Sequence, residues 1–154
     1  GITLSREIFD WPCTNDILIK LQDHINKLPY NKELALHSKV KVKNNELHIP
    51  MIDFATEIIN NELYEKVSMI AESLNTKFKL FKSGRSYHGY FNTLITKNDW
   101  IKYLGSLLLL NKPYNSFEYI DSRWIGHALE HGFSALRVSY NSSFYKQIPE
   151  EVKM

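Results

Sequence analysis

The chain has 154 residues, of which 44% are apolar, and this is enough to bury the core of one domain. Nineteen Lys and Arg against seventeen Asp and Glu give a net charge of +2, which excludes the strong basic excess that would by itself indicate nucleic acid binding. The single cysteine, Cys13, excludes an internal disulfide, and the apolar run LGSLLLLN is too short to cross a bilayer.

These properties favour a soluble, cytoplasmic protein without a membrane partner. No repeat or linker divides the sequence, so we expect one domain over residues 1–154. A helical segment of about residues 1–30 would precede a core of about residues 31–146. Because the chain begins with Gly1 and not with Met, the native protein is expected to extend further upstream.

The first predicted elements are a helix and a hairpin. The helix follows Thr14 and ends at Pro29, with apolar residues at helical spacing between them. An alternating run around Val40 then reaches Asn44 and Asn45, residue types that tolerate the left-handed backbone of a tight turn. The second strand is predicted to run from Leu47 to Phe54 and to be buried on both faces, one with Leu47, Ile49, Met51 and Asp53, the other with Pro50, Ile52 and Phe54.

The remaining elements alternate in the same way. A helical stripe between about Asn60 and Leu74 precedes two strands, KFKLFK and YHGYFNTLI, which SGRS joins. Thr96 and Asp99 begin another helix, and FEYI then predicts a short strand. The segment DSRWIGHALEH predicts a helix that stops at Gly132, and FSALRVSY predicts a closing strand. This order predicts an α+β fold, in which helices pack on one side of a mostly antiparallel sheet.

Two carboxylates and one cation occupy positions where chemistry is plausible. Asp53 would be costly to bury on an apolar strand unless it is paired or binds a metal, although it could also cap the segment that follows. Asp121 stands where a strand gives way to a helix, so it is a candidate helix cap and equally a candidate magnesium ligand. Arg137, in the closing strand, could face a site over the sheet or discourage aggregation at its edge.

The stretch SGRSYH also has two interpretations. It could be an ordinary hairpin loop in which Gly84 supplies an unusual backbone angle. Alternatively, the turn could offer backbone N–H groups to an anion, Arg85 could bind phosphate, and His88 would point to the same side as Ser86.

The segment HALEH, from His127 to His131, matches the H-x-x-E-H pattern of zinc peptidases, in which the Glu is the base. Such a site needs a third ligand downstream, and the chain offers Glu150 and Glu151 at an end that we expect to be frayed. The alternative is an exposed helix face without a metal.

The chain resembles the archaeo-eukaryotic primase superfamily of primases and primase-polymerases in its three motifs, taken in order. The first is IPMIDFA, the second is SGRSYH, and the third is IDSRWIGH followed by ALRVSYNSS. The resemblance covers about residues 47–145, and its most specific part is SGRSYHGY. It implies an RRM-like, mostly antiparallel sheet with helices packed on it, as a minimal primase-polymerase catalytic core.

The resemblance also implies a set of functional residues. Asp53 and Asp121 would hold Mg²⁺ or Mn²⁺ and, with His88, would be catalytic. The positions that match nucleotide-binding residues are Ser83, Gly84, Arg85, His88 and Arg137.

The implied reaction is primer synthesis in DNA replication, by attack of a 3′-hydroxyl on the α-phosphate of a nucleoside triphosphate. The implied partners are a nucleotide, a DNA or RNA template, and a helicase or another accessory domain or subunit.

One departure from the family pattern leaves the enzymatic activity open. Ala55 stands where the first motif has its second Asp. The chain could therefore be a catalytically degenerate interaction module in a larger nucleic-acid-processing system, or an enzyme that recruits Glu57 or Glu118. A third alternative is a small zinc hydrolase built on His127 and His131.

Overall fold

The structure is a computed structural model that describes residues 16–29, 32–138, 140–141, 146–147 and 150–152. The helices are α1 (Ile17–Asn26), α2 (Asn61–Ser73), α3 (Lys97–Leu108) and α4 (Ser122–His131). The strands are β1 (Ala35–His37), β2 (Lys39–Val42), β3 (Asn45–His48), β4 (Met51–Asp53), β5 (Phe78–Ser83), β6 (Ser86–Phe91), β7 (Ala135–Arg137), β8 (Tyr140–Asn141), β9 (Lys146–Gln147) and β10 (Glu150–Val152).

The largest sheet has four strands in the order β10-β5-β6-β4, and every neighbouring pair is antiparallel. Its centre is the hairpin of β5 and β6, closed by the turn at Gly84. The pairs β1–β7, β2–β3 and β8–β9 form separate two-stranded antiparallel sheets. The α+β class with a mostly antiparallel sheet is therefore confirmed.

Local capping signals set the helix ends. Asn60 accepts a hydrogen bond from the Leu63 backbone N–H at 2.8 Å, and Thr96 accepts one from Asp99 N–H at 3.2 Å. Gly132 ends α4 with a φ of +82°, a left-handed conformation that costs glycine nothing. These helix boundaries agree with the sequence prediction.

Three helices and the large sheet share one apolar core. Its buried side chains come from one face of β4, β5 and β6 and from α2, α3 and α4. They are Ile52, Phe54, Leu63, Val67, Ala71, Leu80, Phe91, Ile95, Trp100, Tyr103, Leu104, Leu107, Leu110, Ile120, Ile125 and Ala128. The helices therefore pack on the sheet as predicted, and burial of this apolar surface is the main stabilising term.

The prediction of one strand from Leu47 to Phe54 is wrong. It divides into β3, which pairs with β2, and β4, which pairs with β6. Pro50 lies between them and has no N–H to donate to a ladder, so one strand cannot pair through it. This break lets the chain pass from the small hairpin into the large sheet.

Three other boundaries differ from the prediction. FEYI forms only an isolated bridge between Ile120 and Phe54, and FSALRVSY divides into β7 and β8. Residues Glu150–Val152, expected at a frayed end, form β10 against β5. The partners of Ile120, β7 and β10 are distant in sequence, so a local pattern does not reveal them, whereas β8 pairs with the nearby β9.

The single-domain assignment and the RRM-like arrangement remain predictions. Cys13 and Thr14 lie outside the described residues. None of the helices in the described ranges has the length and apolar content required to span a bilayer.

Candidate active site

Strand pairing places Asp53 directly opposite His88 at the end of β4. Directly opposed residues of antiparallel strands project to the same face, so the carboxylate and the imidazole lie side by side. His88 Nε2 is 3.6 Å from Asp53 Oδ1, which is too long for a hydrogen bond. Only 6% of the His88 side chain is exposed, against 21% for Asp53, so this pair is largely removed from water.

The segment before α4 brings Asp121 to the same place. The Asp121 backbone N–H donates to Asp53 O at 2.9 Å, and Ala55 N–H donates to Tyr119 O at 2.9 Å. The Asp121 carboxylate also caps α4, because its Oδ1 accepts from the backbone N–H groups of Arg123 at 3.0 Å and Trp124 at 3.1 Å. Capping uses one oxygen of Asp121, so the same carboxylate can both cap the helix and face Asp53.

Asn111, just after α3, holds this segment in position. Its Oδ1 accepts from the backbone N–H groups of Tyr119 and Ile120, both at 2.9 Å, and its Nδ2 donates to Ile120 O at 3.0 Å. One amide side chain therefore replaces the ladder that a strand would have provided. Sequence reasoning missed Asn111, because its partners lie eight and nine residues further on.

Burial and a neighbouring charge perturb Asp53. Desolvation, followed by repulsion from the Asp121 carboxylate, raises the pKa of Asp53 to about 7, although Arg137 acts in the opposite direction. A carboxyl group in this state is poorly stabilised as an anion. A cation placed between Asp53 and Asp121 would relieve both the burial cost and the repulsion.

His88 is perturbed in the complementary sense. Desolvation, followed by repulsion from Arg137, lowers the pKa of His88 to about 4, so the imidazole is neutral at neutral pH. Its Nδ1 is buried and has no hydrogen-bond partner within the described part of the chain. A neutral imidazole with an unsatisfied nitrogen can exchange hydrogen bonds with a ligand without a charge of its own.

Arg137 lies on β7 and is paired with Glu33. Its Nη1 is 3.3 Å from both carboxylate oxygens of Glu33. The same guanidinium is close enough to influence the pKa of Asp53 and of His88. Glu33 was not predicted, since 104 residues separate it from Arg137.

The hairpin turn stands at one side of this cluster. Gly84 has a φ of +64°, as the first position of a two-residue hairpin loop can require. Arg85 is exposed at this turn. Ser83 contributes backbone pairing to Ser86, and its side chain lies outside the described part of the structure.

The combination of a paired carboxylate and imidazole, a second carboxylate and a nearby guanidinium is typical of sites that bind phosphate with a cation. The family model described as AEP-like, archaeo-eukaryotic primase 1D-like, matches residues 18–150. The chain belongs to this primase family. No curated protein and no solved structure matches the chain.

Membership of the primase family confirms the resemblance inferred from the motifs. It indicates a primase-like function related to nucleic acid, with nucleotides and nucleic acid as the class of partner. It extends the likeness beyond the motifs, because the match includes α1 and reaches β10. The role of each site residue and the binding of a metal remain predictions.

A divalent cation fits this primase-like site only in part. Asp53 and Asp121 supply two neighbouring carboxylates, and Mg²⁺ commonly takes one or two carboxylates together with water and substrate phosphates. No group of three or more His, Cys, Asp or Glu among the described residues could hold a metal alone. Asp53 and Asp121 therefore fit one cation whose coordination a substrate would complete.

Within the described part of the chain, no third carboxylate joins the pair. Ala55 is exposed just beyond β4, and Glu57 is also exposed. Glu118 is engaged elsewhere, because its Oε1 accepts from Ser122 Oγ at 2.6 Å. Recruitment of either glutamate would require a rearrangement of the chain around Asp53.

The H-x-x-E-H segment lies on the outer face of α4. The rings of His127 and His131 are stacked, with centroids 6.0 Å apart and planes inclined by 18°. Both side chains are exposed, and no third ligand among the described residues completes a metal-binding group with them. Glu151, one of the two candidates for a third ligand, pairs in β10 with Phe81.

Proposed function

We propose that the chain is a primase-type domain that binds the triphosphate of a nucleotide and its divalent cation at Asp53, Asp121, His88 and Arg137. The observation that carries the proposal is the meeting of distant segments at one point: Asp53 is paired with His88, and its carbonyl accepts from Asp121 N–H. The repulsion between the two carboxylates gives a physical reason for a cation.

Each residue has a separate role in this proposal. Arg137, whose Nη1 donates to both oxygens of Glu33, would exchange this carboxylate for phosphate oxygens, which a guanidinium can also bind with two nitrogens at once. His88, neutral because its pKa is lowered to about 4, would donate its one ring N–H to a phosphate oxygen. Mg²⁺ or Mn²⁺ bound to Asp53 and Asp121 would neutralise charge on the phosphate oxygens and lower the barrier to substitution at phosphorus.

The reaction that such a site serves is template-dependent nucleotidyl transfer. A 3′-oxygen forms a bond to the α-phosphorus, the bond between the α-phosphorus and the bridging oxygen breaks, and pyrophosphate leaves. The hydroxyl proton passes to solvent. The protein contributes position and charge, while base pairing with the template would select the nucleotide.

A second candidate is nucleotide and nucleic acid binding without transfer, within a larger assembly. It is favoured by the exposed Ala55 and by the engagement of Glu118 with Ser122, since no third carboxylate then joins the pair among the residues that the structure describes. Transfer with two cations needs ligands for both, so this chain would bind its nucleotide and leave it intact.

Calorimetric titration with a non-hydrolysable nucleoside triphosphate and Mn²⁺ tests the binding proposal. Asp121→Asn keeps a good helix cap, and Asp53→Asn removes a charge whose burial is costly, so both variants are expected to fold. Each should weaken Mn²⁺-dependent binding about ten-fold or more, the effect of losing a charge-assisted contact. Glu72→Gln changes an exposed carboxylate on α2 and should bind like the wild type.

Primer extension with Mg²⁺ or Mn²⁺ separates the two candidates. Primer extension by the wild type that Asp53→Asn abolishes supports transfer. Loss of extension in a separate Glu57→Gln variant would identify a recruited third carboxylate. Tight nucleotide binding without any extension favours the second candidate. Unchanged nucleotide binding in both aspartate variants contradicts the site assignment itself.

A further inference from the structure

Arg137 stands on a different sheet from the other strand residues of the proposed nucleotide site. Asp53 and His88 belong to β4 and β6 of the large sheet, whereas Arg137 belongs to the separate two-stranded ribbon of β1 and β7. Within the described part of the chain, no strand ladder joins β7 to the large sheet. The position of Arg137 relative to Asp53 and His88 therefore depends on contacts other than strand pairing.

Trp124, on α4, makes one such contact. Its indole Nε1–H donates to the backbone oxygen of Ala135 at 2.8 Å. Ala135 lies two residues before Arg137 on β7, so the two residues share a face of the ribbon. The Trp124 ring is partly buried and packs against the apolar core, which limits the movement of the indole and of the strand bonded to it.

The same residue is bonded to the acidic part of the site. The Trp124 backbone N–H donates to Asp121 Oδ1 at 3.1 Å, and the Asp121 backbone N–H donates to Asp53 O at 2.9 Å. Hydrogen bonds therefore run from Asp53 through Asp121 and Trp124 to Ala135. They connect the two carboxylates to the strand that carries Arg137.

Contacts on the other side of β7 hold the ribbon together but do not reach the carboxylates. The Ser38 backbone N–H donates to Ser134 O at 2.8 Å, and the Ser134 N–H donates to Ser38 Oγ at 3.0 Å. The bond from Trp124 is the one that relates β7 to α4. A guanidinium binds phosphate through N–H groups in a fixed plane, so a small displacement of β7 would misalign Arg137.

We propose that Trp124 is a positioning residue of the nucleotide site, whose indole N–H holds β7 so that Arg137 meets the triphosphate. This inference rests on the proposed function. Trp124 makes no contact with the nucleotide in this proposal and acts through Ala135 and Arg137. The competing interpretation is that Trp124 only stabilises the fold, and the experiments below separate the two.

Calorimetric titration with a non-hydrolysable nucleoside triphosphate and Mn²⁺ provides the first test. Trp124→Phe keeps a flat apolar ring but removes the N–H, and its backbone still caps α4 with Asp121. It should weaken nucleotide binding about three-fold or more, the effect of losing one hydrogen bond that holds a binding group.

Two further variants show whether the effect passes through Arg137. Arg137→Gln should weaken nucleotide binding about ten-fold. Trp124→Phe added to Arg137→Gln should cause no further loss, because the guanidinium that Trp124 positions is absent. Trp100→Phe is the matched control: Trp100 is a buried indole on α3 whose Nε1 has no partner among the described residues, so its replacement should lower stability without changing nucleotide affinity.

Hydrogen exchange of the indole N–H groups, measured by NMR, tests the same coupling in the wild-type protein. If the bond from Trp124 favours the triphosphate, the triphosphate must favour that bond to the same extent. The Trp124 indole N–H should therefore exchange with solvent about three-fold or more slowly when the nucleotide is bound. Exchange at Trp100 should not change.

The inference is overturned if Trp124→Phe binds the nucleotide like the wild type, or if it weakens binding by the same factor with and without Arg137. It is also overturned if Trp100→Phe weakens binding as much, or if the nucleotide leaves exchange at Trp124 unchanged. Wild-type binding by Arg137→Gln would contradict the proposed function at Arg137 and this inference with it. Weak binding by Arg137→Gln together with wild-type binding by Trp124→Phe would contradict this inference alone.

Discussion

Replacement of Asn111 tests whether one side chain positions the acidic segment of the site. Asn111→Ala removes three hydrogen bonds, to the backbone groups of Tyr119 and Ile120, at distances of 2.9, 2.9 and 3.0 Å. Each is worth about 0.5–1.5 kcal/mol, and the partly buried backbone groups regain only some of this from water. We therefore expect the free energy of unfolding to fall by about 2–4 kcal/mol.

Asn111→Asp distinguishes the bonds from one another. The carboxylate still accepts from both backbone N–H groups, but it cannot donate to Ile120 O when it is ionised. The loss should then be about 1–2 kcal/mol, smaller than for Asn111→Ala. Urea denaturation followed by tryptophan fluorescence measures both values, because Trp124 lies in the helix that this segment leads into.

Asn98→Ala is the matched control, since Asn98 is exposed on α3. Its unfolding free energy should equal that of the wild type or slightly exceed it, because Ala is the better helix former. An Asn111→Ala protein that unfolds at the wild-type urea concentration would refute the reasoning. So would equal losses for Asn111→Ala and Asn111→Asp.

Three further predictions follow from described contacts. Glu33→Gln weakens the contact with Arg137, so the affinity for a nucleoside triphosphate, measured by calorimetry, should rise by up to about five-fold. An unchanged or weaker affinity counts against binding of phosphate by Arg137. Burial lowers the pKa of His48, so the stabilising contribution of the neutral imidazole is present above the unfolded pKa of about 6.5 and is lost as the pH falls below that value. His48→Phe should therefore make the unfolding free energy decline less steeply between about pH 7.5 and 5.5. Equal slopes in the variant and the wild type would contradict this prediction. Gly132→Ala should lower the unfolding free energy by about 1 kcal/mol, because Gly132 has a left-handed backbone. Gly126→Ala, inside α4 with open space for a Cβ, should raise the unfolding free energy by about 0.5–1 kcal/mol. A change of the same sign in both unfolding free energies would contradict the assigned backbone roles.

Helix ends were predictable because their causes are local. Asn60 and Thr96 bond to groups only three residues away, and Gly132 directly follows the helix that it ends. A sequence pattern contains all of this information. The strands were less predictable, because their pairing depends on residues far along the chain.

The break at Pro50 had a local signal that the alternating pattern obscured. A proline inside an apparent strand argues against continuous pairing, and here it separates two strands that belong to different sheets. The pairing of β10 with β5 had no such signal, because about seventy residues separate them. Only the folded chain shows that Glu150–Val152 completes the large sheet.

The residues of the candidate site also fall into those that local motifs predicted and those that they did not. Asp53, His88 and Asp121 were named from short motifs, and the structure brings them together through the register of β4 with β6 and the bridge beside Ile120. Arg85 belongs to the same motif as His88 but stands exposed at the turn. The supporting residues Asn111 and Glu33 escaped prediction, because their roles are defined only by the positions of their partners.

Anomalous X-ray diffraction from crystals grown with Mn²⁺ and a non-hydrolysable nucleoside triphosphate would test the central claim most directly. We expect one manganese peak between the carboxylates of Asp53 and Asp121, with the triphosphate beside His88 and Arg137. A metal at His127 and His131, or a nucleotide bound away from Asp53, would contradict it.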